Sequence, residues 1–165
     1  MAKKSNVKKW IPGGIALLFG LVAFFMIFVD AVVAEELGMK ESSSGWVFAF
    51  GSENFLVFDL KFNIMIFLAF FLPLIGGILS FITGNGFLMK IITTACFVVG
   101  AVFLFCTVAF VPVGLEGGDT VKKAWEEFVK HDVIKLGAGP IVAGVFSILG
   151  AVVCFFKGTI AKKIG

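Results

Sequence analysis

The chain has no arginine, no glutamine and no tyrosine, and only one histidine. Without Arg it lacks the planar fork that grips a phosphate or carboxylate through two parallel hydrogen bonds. With a net charge of only +3 as well, nucleic acid is set aside as a partner. Cysteine is scarce: Cys96, Cys106 and Cys154 form an odd set without a Cys-x-x-Cys, all within apolar runs. Such a set builds no outer disulfide framework, and each thiol reads as a small buried apolar group. Charge is absent from the middle of every long apolar run, where proton pumps and ion-coupled carriers keep it. His131, with Glu127 and Asp132, offers two or three ligands and no second cluster, short of a metal site. No catalytic residue, cofactor or metal is therefore expected, and the chain reads as non-enzymatic.

What is present is apolar. The chain is 165 residues long, 59% apolar, with 22 Phe and a mean hydropathy of +1.07. Soluble domains hold about 45–50% apolar residues, so a single water-soluble core is the wrong description. Phe62–Ile82 carries no charge, and as a helix Ile64–Ile82 is about 28 Å long, close to one hydrocarbon thickness. Four spans are expected, at about 11–33, 62–82, 90–111 and 139–156, in one membrane domain covering 1–165. The outer segments are then 34–61 and 112–138. The expected fold is an all-α integral membrane protein: a four-transmembrane-helix bundle with a small extracytoplasmic β-hairpin and an amphipathic surface helix.

Lysine sets the orientation. Residues 1–10, 83–90 and 157–165 hold Lys3, Lys4, Lys8, Lys9, Lys90, Lys157, Lys162 and Lys163 and no acid, whereas the other segments hold all eleven acids. Positive residues stay on the cytoplasmic side, which puts both termini inside and makes this a multi-pass protein of the cell membrane. The first apolar run also resembles a signal peptide cleaved after Ala34, but it is long for one and Asp30 sits before the site.

Small residues recur at four-residue spacing, the pattern that lets helices approach closely in lipid. Ala16 and Gly20 share a face of span one. Gly76, Ser80 and Gly84 do so in span two, and Gly139, Ala143, Ser147 and Ala151 in span four. Pro73, followed by Gly76 and Gly77, marks an expected kink, because proline deletes a helical hydrogen bond and crowds the preceding turn.

In the outer segments, the span-one helix is expected to run on through Ala31–Leu37 to a stop at Gly38, followed by a polar loop at 39–45. Trp46–Phe50 and Phe55–Phe62 flank Gly51–Asn54, and both alternate with period two, which predicts a hairpin. Asp119 or Thr120 is expected to cap a helix to about His131. Its stripe is Val121, Ala124, Trp125 and Phe128, and its polar face carries i,i+4 charge pairs. Trp46, Phe48, Phe50, Trp125 and Phe128 form the expected outer interaction surface.

Four spans with internal termini, a strand-bearing first outer segment and a helical second one resemble the layout of claudin-type proteins. The paired Cys and Trp-Gly-Leu-Trp run of that family's outer segment are absent, with Trp46 alone in a comparable place. No junction function is carried over. The expected partners are the lipid bilayer and either further copies of the chain or other membrane subunits, so the protein acts by association. The alternative is an oligomeric pore or small-solute channel with Ser80, Thr93, Thr94 and Thr107 facing a lumen; a carrier ranks below it.

Overall fold

Backbone polar groups in hydrocarbon must be paired, and a helix pairs them all within one segment, so an uncharged run of about twenty residues is suited to a helix. The computed structural model describes residues 4–36, 39–55, 58–83 and 86–164. The expected stop at Gly38 and the small residue Gly84 lie outside them. In chain order come α1 (Lys4–Phe25), a 3-10 turn (Met26–Phe28), β1 (Asp30–Glu36), β2 (Met39–Ser44), α2 (Gly45–Phe50), β3 (Ser52–Phe55) and β4 (Phe58–Leu60). Then follow α3 (Ile64–Ile82), α4 (Phe87–Phe105), α5 (Thr107–Phe110), a 3-10 turn (Val111–Gly114), α6 (Gly118–Lys130), β5 (Ile134–Leu136) and α7 (Ala138–Ile164).

Four stretches are long and apolar enough to cross a membrane: Trp10–Phe28, Ile64–Ile82, Phe87–Phe105 and Ala138–Ala161. They pack as a square, α1 and α4 each lying against both α3 and α7. One end of the square bears the sheets and α6. The other carries Lys90 and Lys157.

The sheet end departs from expectation in four places. Asp30–Glu36 is a strand, not a helical extension, because it has partners on both sides: β2 and β5 pair with it antiparallel in the order β2-β1-β5. Ala31, Val32 and Ala34 are buried there, so tertiary pairing overrides local helix preference. The expected loop after it contains β2, a polar strand at the edge of the sheet. Trp46–Phe50 is helical: Trp46 and Phe50 meet at i,i+4 with ring centroids 4.1 Å apart, while Phe48 turns into the core. The hairpin is β3–β4 instead, with Phe55 opposite Phe58; the alternation survives over Phe58–Leu60, whose ends are buried and whose Asp59 is exposed. Finally, α6 begins after Gly117 with no side-chain cap, in place of Asp119 or Thr120. The ion pairs among the described residues join Glu35 to Lys40 and Lys135, and Lys61 to Glu116; none lies on α6.

The second inter-helix segment ties the sheet end together. Its start pairs with β4, through a Leu60–Leu115 bridge and bonds from Lys61 N–H to Gly114 and from Glu116 N–H to Asp59. Its end, β5, pairs with β1. A large apolar core runs from Phe48, Phe55, Phe58 and Trp125 down to Phe70 and Leu104, and a smaller one near the other end holds Ala16, Phe97, Ala151 and Cys154.

Candidate functional site

The sheet end is positioned by one asparagine. Asn63 is 1% exposed and stands just before α3, where its Oδ1 accepts from the backbone N–H groups of Met65 (3.1 Å) and Ile66 (3.4 Å). A short polar side chain at this position satisfies helix N–H groups that have no intrahelical partner. Its Nδ2 also donates to the carbonyl of Phe110 at 2.8 Å, and its backbone N–H to that of Ala49 at 2.9 Å. The start of α3 is thereby joined to α5 and α2. An Asn directly before an apolar run is a helix-start signal, overlapped here by the strand pattern that ends at Phe62.

Of the five aromatic residues expected on an outer surface, Phe48 and Trp125 are interior, each 1% exposed. Trp125 donates Nε1–H to the carbonyl of Val108 at 3.2 Å and meets Phe58 edge-on at 5.5 Å. Phe128 is half-buried against Phe58. These residues hold α6 on the hairpin. Trp46 and Phe50 are exposed and continue a row with Phe28 and Phe62, which are exposed as well. Amphipathic aromatic rings collect at a membrane boundary. Beside them β2 is an edge strand, exposed at Lys40, Glu41 and Ser42.

The small-residue stripes lie inside the bundle. Gly139 faces the carbonyls of Met26, Val29 and Asp30, and Ala143 is in the large core. Ser147 Oγ donates to the carbonyl of Phe97 at 2.8 Å, and Ala151 belongs to the smaller core. Gly76 faces Cys96 and Phe97 on α4, whereas Gly77 faces Ala16 and Leu17 on α1. The backbone of Gly20 lies against the carbonyl of Pro73. The helix α3 continues through Pro73, which is buried between α1 and α4.

The polar groups of the spans are interior too. Thr93 donates to the carbonyl of Met89 at 2.8 Å and Thr107 to that of Leu104 at 2.7 Å. The hydroxyls of Ser80 and Thr94 are buried without a hydrogen-bond partner. At the same end Lys157, 5% exposed, donates from Nζ to the carbonyls of Ser80 and Thr83 (2.8 Å for the latter). It caps the carbonyl end of α3, where a cation also meets the negative pole of the helix dipole. By sequence Lys157 falls in the inner segment 157–165, just past the fourth expected span. Its signal was its place on the face of Ser147, Gly150 and Cys154, all buried. Cys96, Cys106 and Cys154 are free thiols.

Together these elements define a helical bundle able to cross a membrane four times, with a small sheet layer at one end. Comparison with protein-family models, curated proteins and solved structures finds no match to this chain.

Proposed function

We propose that this chain is a non-enzymatic integral membrane protein of the cell membrane that acts by association through its sheet end, with further copies or with subunits of a membrane complex. Its lysine end faces the cytoplasm, following the distribution of Lys. The observation that carries the reading is the open edge of β2 beside the exposed row of Phe28, Trp46, Phe50 and Phe62. An unpaired strand edge accepts a partner strand through main-chain hydrogen bonds. The small residues that would serve a helix–helix interface are already used within the chain. The pore alternative has Ser80, Thr93, Thr94 and Thr107 lining a lumen; Ser80, Thr93 and Thr107 are buried within the protomer, and Thr94 lies at the groove between α4 and α7.

Photo-crosslinking in intact membranes tests this. A crosslinking side chain at Ser42, on the edge strand, is expected to capture a polypeptide. The same group at Val145, exposed on α7, is expected to give lipid adducts only. Polypeptide adducts at Val145 and none at Ser42 would move the interface into the bilayer and refute the reading.

A further inference from the structure

A groove of about 460 Å³ runs along the outside of the bundle between α4 and α7 at the lysine end, lined by Phe87, Lys90, Ile91, Thr94, Ala95, Val98 and Phe155. That volume is within the range of small-ligand sites, roughly 300–1,000 Å³. Its walls are apolar, and Phe87, Ile91, Val98 and Phe155 are exposed. In a helix that crosses a bilayer, these side chains meet acyl chains.

Two polar groups break the apolar lining. Lys90 sits at the inner end, reaching over α7 at Gly158, where a Cβ would stand 2.6 Å from its Nζ. No Asp or Glu side chain lies at this end of the bundle, because the eleven acids all fall in residues 30–59 and 116–132. The neighbouring Lys157 is pinned to the carbonyls of Ser80 and Thr83 and adds positive charge to the same end. The second polar group is the Thr94 hydroxyl, one turn further along the groove, which is buried and donates to no group of the protein. The first turn of α4 opens here as well, and its leading N–H groups favour an anion.

We propose that this groove binds one anionic phospholipid, with the phosphate at Lys90, the Thr94 hydroxyl donating to an ester oxygen, and one acyl chain along Ile91, Ala95, Val98 and Phe155. The inference rests on the four helices crossing a bilayer, and is independent of which partner the sheet end engages. Charge complementarity selects an anionic headgroup over a zwitterionic one; the apolar length below Lys90 selects a lipid over free phosphate.

The test is native mass spectrometry of the full chain in mild detergent with added phosphatidylglycerol or phosphatidylcholine of identical chains. The wild type is expected to retain phosphatidylglycerol preferentially. Lys90→Ala is expected to weaken that binding about five-fold, the share of one membrane-surface lysine, and to leave phosphatidylcholine unchanged. Ala95→Phe, which fills the groove from an exposed position, is expected to reduce both lipids. Equal retention of the two lipids by the wild type overturns the proposal, as does undiminished phosphatidylglycerol binding in both variants. Should Lys90→Ala fail to fold, Lys90→Gln gives the same readout with the stem retained.

Discussion

Pro73 and the two glycines beside it give the sharpest test of how the bundle is held. A Cβ added at Gly100 on α4 would stand 2.7 Å from both Cγ and Cδ of Pro73. On the opposite side, a Cβ at Gly20 on α1 would stand 2.5 Å from the Pro73 carbonyl oxygen. Both distances are well inside van der Waals contact, so Gly100→Ala has to displace either the ring or the whole of α4. Overpacking of this size costs about 1–3 kcal/mol. The gain in helix propensity from Gly to Ala offsets at most about 1 kcal/mol, so a net loss is expected.

The partner change distinguishes a local clash from a general loss of fit. Pro73→Ala deletes the two ring atoms that Gly100→Ala would strike and returns a backbone N–H to α3. Taken alone it trades lost ring packing against a regained hydrogen bond, and a change within about 1 kcal/mol is expected. In the double variant the new methyl group enters the vacated space. The two costs should then fail to add by about 1–2 kcal/mol, in the favourable direction, as for residues in direct contact. Gly20→Ala meets backbone instead of a ring, so Pro73→Ala should not relieve it. The assay is reversible unfolding by sodium dodecyl sulfate in mixed micelles, followed by circular dichroism. Strict additivity of Gly100→Ala and Pro73→Ala would refute the argument, and so would equal rescue of Gly20→Ala.

Two further outcomes follow from the buried polar groups. Asn63→Ala should cost about 1–3 kcal/mol in the same assay, since it removes a helix cap and strands the Phe110 carbonyl; Asn63→Asp, which keeps the cap and loses the donor, should fall between. Lys157→Met should lower stability by about 1–3 kcal/mol through loss of two charge-assisted bonds to the end of α3. Lys163→Met, at an exposed position, should not.

The four long helices are legible because bilayer thickness converts directly into run length, and because a helix pairs all the backbone polar groups of an uncharged run within that run. The sheet layer is not, and the reason lies in its partners. Met39–Ser44 is a strand because β1 is beside it, and β1 is a strand because β5, about a hundred residues later, closes its other side. No local window contains that information. The run Trp46–Phe50 fits period two through Trp46, Phe48 and Phe50, and it equally fits a helical turn in which Trp46 and Phe50 coincide. The burial of Ala49 beside Phe48 is what separates the two patterns, and burial is set by the tertiary fold, not by the local run.

The candidate sites divide along the same line. Four-residue spacing marks Gly139, Ala143, Ser147 and Ala151 as a packing face, but spacing carries no address, and the neighbours are elements of the same chain: the turn after α1 and the start of β1 at Gly139, α4 at Ser147, and α1 with α4 at Ala151. Lys157 is the first charge after the last apolar run, yet a long lysine stem lies comfortably along apolar surface, and its ammonium needs only two or three acceptors. Following the buried face past Cys154 by one more turn arrives at Lys157 just where α3 ends and its last carbonyls lack partners. A cation on the buried face of α7, level with the carbonyl end of α3 across the bundle, is thus a helix cap between elements. Up-and-down order brings the C-terminal ends of α3 and α7 to the same end of the square, on its diagonal, so a long side chain on the buried face reaches from one to the other.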